Sequence, residues 1–332
     1  MTGPLALGLD LGATNSRALI VDADGQRLGS GQAPGGNPTA EHVPDALAAI
    51  AAAIRAALGD IPPERIGSAA IGMAGVGRLK EPAVTAQFDT MWQELGLTCH
   101  YQPLSDAVVG FAAGTSAPDG TLLLAGTGAI AVDIRDHQPH RTADGHGWLL
   151  GDLGSGFWLG REAVRAALGY LDGWAPHSEL TGLVLRELLG EASPPPSRDL
   201  VNTLINKVRS EPEVRLARFA RTVLEAAAGS DATARDIATE AARHLVRTAS
   251  QVRPDDDPRS AARPLVLAGS LLTADTVIAA EIRAVAARRW PDAAVCLATD
   301  GAAAAAWIAV RELPELALTP EQLHQALLAN QS

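Results

Sequence analysis

The chain has 332 residues, of which 47% are hydrophobic and 20% charged, and a formal net charge of −11. The length exceeds the usual single core, so two domains are expected, and the composition is that of a globular chain and not a disordered one. The acidic balance argues against nucleic acid or an anionic membrane as partner, since both are bound through basic patches. Cys99 and Cys296 are the only cysteines, too few for a disulfide scaffold, a Cys-rich zinc site or an iron–sulfur cluster. Residues Met1 to Asp10 lack the basic start and apolar core of a signal peptide, and the apolar run Gly301 to Val310 falls far short of the roughly 20 residues that span a bilayer. The expectation is a soluble, cytoplasmic protein.

Residues 5–34 read as a β-meander. Its first turn, Gly8-Leu9-Asp10-Leu11-Gly12-Ala13-Thr14-Asn15-Ser16, is entered from Leu5-Ala6-Leu7, and Asp22-Ala23-Asp24-Gly25 supplies a later turn. A calcium loop at Asp22 lacks its remaining ligand positions. Glu41 to Leu58 is an alanine-rich helix ended near Gly59, Ile66 to Met73 a strand, and Pro82 to Leu95 a helix with proline in its first turn. Thr98 to Gln102 reads as a strand, followed by a helix capped by Ser105 and running to about Ala113. The pattern restarts at Thr121, so residues 1–115 form one α/β lobe and 116–312 a second. Within the second, Glu162 to Val252 is a helical insertion interrupted by Ser193-Pro194-Pro195-Pro196. After it come the strand Pro264 to Ala268, the helix Ala274 to Arg288, the strand Ala294 to Leu297 and the helix Gly301 to Arg311. Residues 313–332 close the chain with a helix from Thr319 to Leu328.

The second lobe opens with another glycine turn, Gly126-Thr127-Gly128, entered from Leu122-Leu123-Leu124-Ala125 and left through Ile130-Ala131-Val132. Two strand–turn–strand hairpins whose backbone N–H groups converge on phosphate oxygens make a nucleotide clamp. A Walker loop is excluded, because neither lysine, Lys80 nor Lys207, follows a glycine turn. Gly126-Thr127-Gly128-Ala129-Ile130-Ala131 also fits the dinucleotide pattern G-x-G-x-x-A, but the period-two alternation of Ile130, Val132 and Ile134 predicts a strand next where that motif needs a helix. Asp10, beside a polyphosphate, needs an intervening cation and so is the candidate Mg²⁺ residue. Gly12, Ala13, Thr14 and Asn15 are placed on the phosphates, as are Thr127 and Gly128. Asp106, in the first turn of a helix at the end of a strand, is the candidate base that orients and deprotonates a hydroxyl. The alternative for Asp106 is a dipole partner of its helix. Asp152, in Gly151-Asp152-Leu153-Gly154-Ser155-Gly156, can accept from sugar hydroxyls or simply cap a loop. His137, His140 and His146 lie close in sequence, but the segment lacks cysteine or acidic ligands at metal spacing.

Taken in order, these elements resemble the acetate-kinase/hexokinase/heat-shock/actin superfamily. Gly8-x-Asp10-x-Gly12-x-Thr14 is similar to its first phosphate motif, Ala125-Gly126-Thr127-Gly128 to its second and Ala268-Gly269-Ser270 to its adenosine motif. Within it, residues 5–312 are similar to the N-acetylglucosamine-kinase branch, grouped with BadF/BadG-type ATPases. The resemblance implies an α/β fold of two ribonuclease-H-like (actin/hexokinase-type) lobes that close over a sugar. It further implies ATP and Mg²⁺ as cofactors, an amino sugar as small-molecule substrate and a homodimer. It places the catalytic Asp on Asp106, adenine near Ala220, Gly269 and Ser270, and the sugar near Asn37, Asp106, His146, Gly147 and Asp152. This chain departs from the branch in having Leu153 where the family's loop has Glu, and Ala129-Ile130 where N-acetylglucosamine enzymes carry Ser-Asn. Those positions help recognise the N-acetyl group, and relatives of the branch include kinases of free glucosamine, so glucosamine is the expected acceptor and N-acetylglucosamine the alternative. Activator-type ATPases of the same fold carry a shared iron–sulfur cluster in glycine-rich loops, where neither Cys99 nor Cys296 lies. A non-catalytic sugar sensor would not need both Asp10 and Asp106.

Overall fold

The computed structural model describes residues 3–12, 15–37, 42–253 and 262–328. They form two units, 1–119 with 134–139 and 296–332, and 120–133 with 140–295. The first unit is built on the strands β1 (Leu5–Leu11), β2 (Asn15–Val21), β3 (Arg27–Pro34), β4 (Ile66–Met73) and β5 (Tyr101–Ser105), in the order β3-β2-β1-β4-β5. Strands β1 to β3 form the antiparallel meander, while β4 runs parallel to β1 and β5 parallel to β4. Leu5, Leu7, Leu9 and Leu11 are all buried, as are Ala6 and Gly8 between them, the two-faced burial of a central strand.

Three helices of this unit matter for the site. Helix α1 (Val43–Leu58) packs on β2 and β3 through Leu47, Ile50 and Ile54, and α2 (Pro82–Glu94) contributes Phe88 and Trp92 to the same core. Helix α3 (Asp106–Ala112) leaves the end of β5, with Ser105 capping it by accepting from the Val108 amide at 3.4 Å. Strand β5 lies three residues beyond the expected Thr98 to Gln102, because its ladder pairs Tyr101 with Ala69 and Ser105 with Met73, which brings Leu104 inside. Asp22 proves to be an ordinary turn residue, its carboxylate accepting from the Asp24 and Gln26 amides.

The second sheet contains β6 (Gly120–Ala125), β7 (Ala129–Arg135), β8 (Gln138–Asp144), β9 (Leu265–Ala268) and β10 (Val295–Leu297), in the order β10-β9-β6-β7-β8, with β9 parallel to β6. Strand β7 is where the dinucleotide pattern would have required a helix. The helical region comprises α4 (Gly156–Leu171), α5 (Glu179–Leu189), α6 (Arg198–Arg209), α7 (Phe219–Ala228) and α8 (Ala232–Val252). It begins six residues before Glu162 because Ser155 caps α4, accepting from the Trp158 amide at 3.2 Å. The described residues after β9 form α9 (Ser270–Thr273), α10 (Val277–Arg289), α11 (Gly301–Val310) and α12 (Pro320–Leu328). No described helix is long and apolar enough to cross a membrane.

The contiguous second lobe expected over 116–312 is corrected at its end: α11 belongs to the first unit, lying against β1 and β4. Its alanines Ala302 to Ala306 are all buried, and a Cβ at Gly8 would overlap the backbone N of Ala306 and the carbonyl of Ala302. Only a glycine strand facing an alanine helix permits that approach. Gly8→Ala is therefore expected to destabilise the protein by about 3 kcal/mol or more, since the clash is with backbone and cannot be relieved by a rotamer change. Urea unfolding of the variant measures it, and a loss under about 1 kcal/mol would contradict this packing.

Candidate active site

In the first unit the carboxyl ends of the parallel strands β1, β4 and β5 carry the polar groups. Asp10 on β1 pairs with Gly72 on β4, and Ser105 at the end of β5 pairs with Met73. Asp10 thus lies on one side of β4, and Asp106, which follows Ser105 at the start of α3, lies beyond the end of the strand on its other side. Asn37 is 3% exposed and its Nδ2 donates to the Ala74 carbonyl, just past β4, at 3.3 Å. Ligands of open α/β sheets gather at such strand ends. Three expected site residues, Asp10, Asn37 and Asp106, thus converge in this unit.

Burial is the main reason that the Asp10 carboxyl is pushed up to about 6. Arg17, opposite it on β2, opposes the shift, while Asp300 and Asp106 add to it. The carboxylate lies where a Cβ on Gly301 would fall, at the start of α11. Burial likewise raises the Asp106 carboxyl above its usual range, against the Ala107 amide, which donates to its Oδ1 at 2.9 Å. Asp300 is a site neighbour that the sequence reading did not single out. It caps α11 by accepting from the Ala302 and Ala303 amides and pairs with Arg27 at 3.1 Å; Thr299-Asp300-Gly301 before an apolar run was the available signal. The Gly12 amide, expected to face phosphate, donates instead to the Asn15 carbonyl at 2.9 Å, and the Asn15 side chain accepts from Gln32. Both positions shape the turn. Ala13 and Thr14 lie outside the described residues.

In the second unit the Gly126-Thr127-Gly128 turn is held from several sides. The Gly126 amide donates to the Gly128 carbonyl at 2.9 Å, which closes the turn. The first two amides of α4 donate back to it, Gly156 to the Gly126 carbonyl at 2.7 Å and Phe157 to the Thr127 carbonyl at 3.1 Å. In a trans peptide the C=O of one residue and the N–H of the next point in opposite directions. Tying those two carbonyls to α4 therefore turns the Thr127 and Gly128 amides away from it, and among the described residues neither donates elsewhere. Two parallel, unspent donors on a glycine turn form an anion cradle. Gly269, at φ +83°, seals its other side: a Cβ there would overlap the Ala125 carbonyl.

Two expected residues make contacts within this unit. Ala220 is 6% exposed in the helical core, where its methyl would lie 3.6 Å from a Cβ on Gly156, so it packs beneath the turn. Asp152, expected on the sugar, accepts from the Ala129 amide through Oδ1 at 3.1 Å, beside the glycine turn. Its carboxyl is raised, first by burial and then by Asp144, while the Ala129 amide and His146 oppose the rise. His146 and Gly147 are exposed on the loop before Gly151, and Ser270 is exposed at the start of α9. Leu153, where the resembling family has Glu, packs against the core of this unit. Ile130 packs against Gly145, and Ala129 is 2% exposed. Among the described residues no group of three or more His, Cys, Asp or Glu is arranged to hold a metal.

The sequence matches the BadF/BadG/BcrA/BcrD ATPase family over residues 7–298. It is similar to an N-acetyl-D-glucosamine kinase of Dictyostelium discoideum, 29% identical over 198 residues covering 57% of this chain and 61% of that one. It is also similar to an N-acetylmuramic acid/N-acetylglucosamine kinase of Clostridium acetobutylicum, 28% identical over 55% of this chain and 56% of that one. The chain thus spans less than two thirds of the length of these curated relatives. Among solved structures, a Chromobacterium violaceum protein provisionally named an N-acetylglucosamine kinase superposes with a TM-score of 0.72 at 22% identity, covering 92% of this chain and 99% of that one. The two-lobed α/β fold expected from sequence is the fold of this chain.

A pH-dependent stability follows from the buried carboxyl of Asp106. Its folded-state pKa lies above the ordinary 3.8, so the folded state holds the proton more tightly than the unfolded state does. The stability this contributes is fully present below that value and is lost as pH rises through the raised one. Asp106→Asn should therefore melt at the same temperature as the native protein near about pH 3.5 and at a higher temperature near about pH 8. Calorimetry at the two pH values measures this; a variant that is less stable at the higher pH would contradict the desolvation.

Proposed function

The chain belongs to the BadF/BadG/BcrA/BcrD ATPase family, and on that premise we propose that it transfers the terminal phosphate of ATP to the 6-hydroxyl of an amino sugar. Glucosamine is the favoured acceptor and N-acetylglucosamine the alternative. The observation that carries the reading is the pair of Thr127 and Gly128 amides turned out from α4, a cradle for phosphate oxygens whose donors need no reorganisation at the moment of transfer.

Asp106 is the base. Its Oδ1 is fixed by the Ala107 amide, and its carboxylate would orient the sugar hydroxyl and take its proton. The hydroxyl oxygen would form its bond to the γ-phosphorus as the bond to the β–γ bridging oxygen breaks and ADP leaves. Asn37, His146 and Gly147 would contribute to the sugar site, and Gly269 and Ser270 to the adenosine side. Asp10 fits a magnesium role: it is a single, partly buried carboxylate with a raised pKa, and Mg²⁺ bound to phosphates needs only one or two carboxylates beside its waters. When bound, the ion would neutralise charge on the phosphate oxygens. Glucosamine is favoured because Ala129, Ile130 and Leu153 place apolar, packed side chains where the resembling branch has polar groups for the acetyl amide. An acidic site suits an ammonium.

The test is ADP release from Mg-ATP with glucosamine, N-acetylglucosamine, glucose, mannose or N-acetylmuramic acid, against a control without sugar. Glucosamine is expected to give the highest kcat/KM, and Asp106→Asn to lower kcat by at least about a hundredfold. A preference for N-acetylglucosamine would select the alternative. No stimulation by any sugar would overturn the kinase reading in favour of an activator ATPase or a sensor.

A further inference from the structure

Asp106, the proposed base, opens a helix of only 7 residues, α3. Isolated helices of that length are marginal, so its place depends on what grips its ends and its flank. At the start, Ser105 caps it. On the flank, Val109 lies against Gly72 of β4, where a Cβ would overlap the Val109 side chain. At the far end, the Val109 carbonyl accepts from the Ala113 amide and the Phe111 carbonyl from the Gly114 and Thr115 amides, all local bonds. The Ala112 and Ala113 carbonyls are taken instead by residues far along the chain. Ala112 accepts from His324 Nε2 at 2.7 Å, 212 positions away. Ala113 accepts from both the amide and the hydroxyl of Thr299, each at 3.2 Å. All of these contacts lie within the first unit.

His324 is itself held in place. A carbonyl only accepts, so Nε2 carries a proton. The ring of His324 meets that of Trp307 at a centroid distance of 5.1 Å and an angle of 86°. Trp307 is fully buried on α11, and its Nε1 donates to the Pro320 carbonyl at the start of α12 at 2.7 Å. At the other end of α12, the Leu327 carbonyl accepts from the Arg27 guanidinium at 2.8 Å. Helix α12 is thus fastened at both ends, and His324 reaches from its middle to the end of α3. We propose that His324 is a positioning residue for Asp106, with Thr299 as its companion: together they fix the tail of α3 so that its first residue keeps its aim at the acceptor hydroxyl. The inference rests on the kinase reading for what Asp106 does. Helix α3 spans only about 10 Å, so a tilt at Ala112 displaces the Asp106 carboxylate. A misplacement of about 1 Å, caused far from the chemistry, is enough to slow a reaction about a hundredfold. His324 bonds to Ala112 and packs on Trp307, neither of them an expected ligand position.

His324→Gln keeps an N–H donor on a side chain of similar reach, whereas His324→Leu keeps the bulk against Trp307 and removes the donor. The leucine variant is expected to lower kcat, measured per folded molecule, about tenfold or more, with the KM values for ATP and sugar changed less than about twofold. The glutamine variant should recover kcat to within about threefold of the native value. In an Asp106→Asn background the leucine substitution should cost less than about twofold further, because the group it misplaces is already gone. Backbone hydrogen exchange needs no turnover: the α3 amides should exchange about tenfold faster or more in the leucine variant, while those of α1 keep their native rates. A merely structural role would lower the melting temperature, leave kcat per folded molecule unmoved and act equally in both backgrounds, and that result would overturn the assignment. So would a change confined to either KM, or α3 amides that keep their native exchange. If the native protein phosphorylates no sugar while α3 still exchanges faster in the leucine variant, the kinase reading falls and the anchoring of α3 stands.

Discussion

The second unit depends on where two carbonyls point. Once the Gly126 and Thr127 carbonyls accept from the first amides of α4, peptide planarity leaves the Thr127 and Gly128 amides no direction but outward. A helix start ordinarily leaves its own first amides unsatisfied, and they serve directly as an anion site. Here they are used up in orienting a neighbouring turn, and it is the turn that is left with free donors. The Ser155 cap that starts α4 at Gly156, the absent side chain at Gly269 and the Asp152 carboxylate all meet at the same nine-atom stretch of backbone from Gly126 to Gly128.

The first unit is governed by desolvation instead. Its central strand is buried on both faces and its covering helix is made of alanine so that backbones can approach. Carboxylates placed at the end of such a strand lose water. Asp10 and Asp106 are both raised mainly by burial, and Asp300 worsens the position of Asp10. A protein keeps such groups where charge is needed for chemistry, and a cation or a proton arriving at the site relieves their cost.

Much of this was legible in the sequence. The β-meander, the strand from Ile66 to Met73, the two glycine turns and the helical region follow from period and turn chemistry, and Asp106 follows from its place after a strand. The assignment of the family rests on the same motifs. What was not legible depended on contacts between distant segments. The helix from Gly301 reads as an ordinary continuation of the second lobe, and nothing local reveals that Gly8 makes room for it 293 positions earlier. Asp144 looks like a strand-end turn residue until Asp152 and Leu153 are seen to donate to it. Ala220 and Asp152 stand out by motif, but the packing of the one in the core and the bond of the other to a backbone amide needed the structure. Leu153 shows the opposite case: a departure visible in the sequence whose meaning, a polar position turned over to packing, needed the structure.

The central claim is that the Thr127 and Gly128 amides hold phosphate. A crystal structure with Mg²⁺ and a non-hydrolysable ATP analogue tests it most directly. The account predicts a phosphate oxygen about 3 Å from each of those two nitrogens, with the Gly126 and Thr127 carbonyls still on α4. An analogue whose phosphates lie away from this turn, or a turn whose peptides have flipped to bind it, would contradict the account.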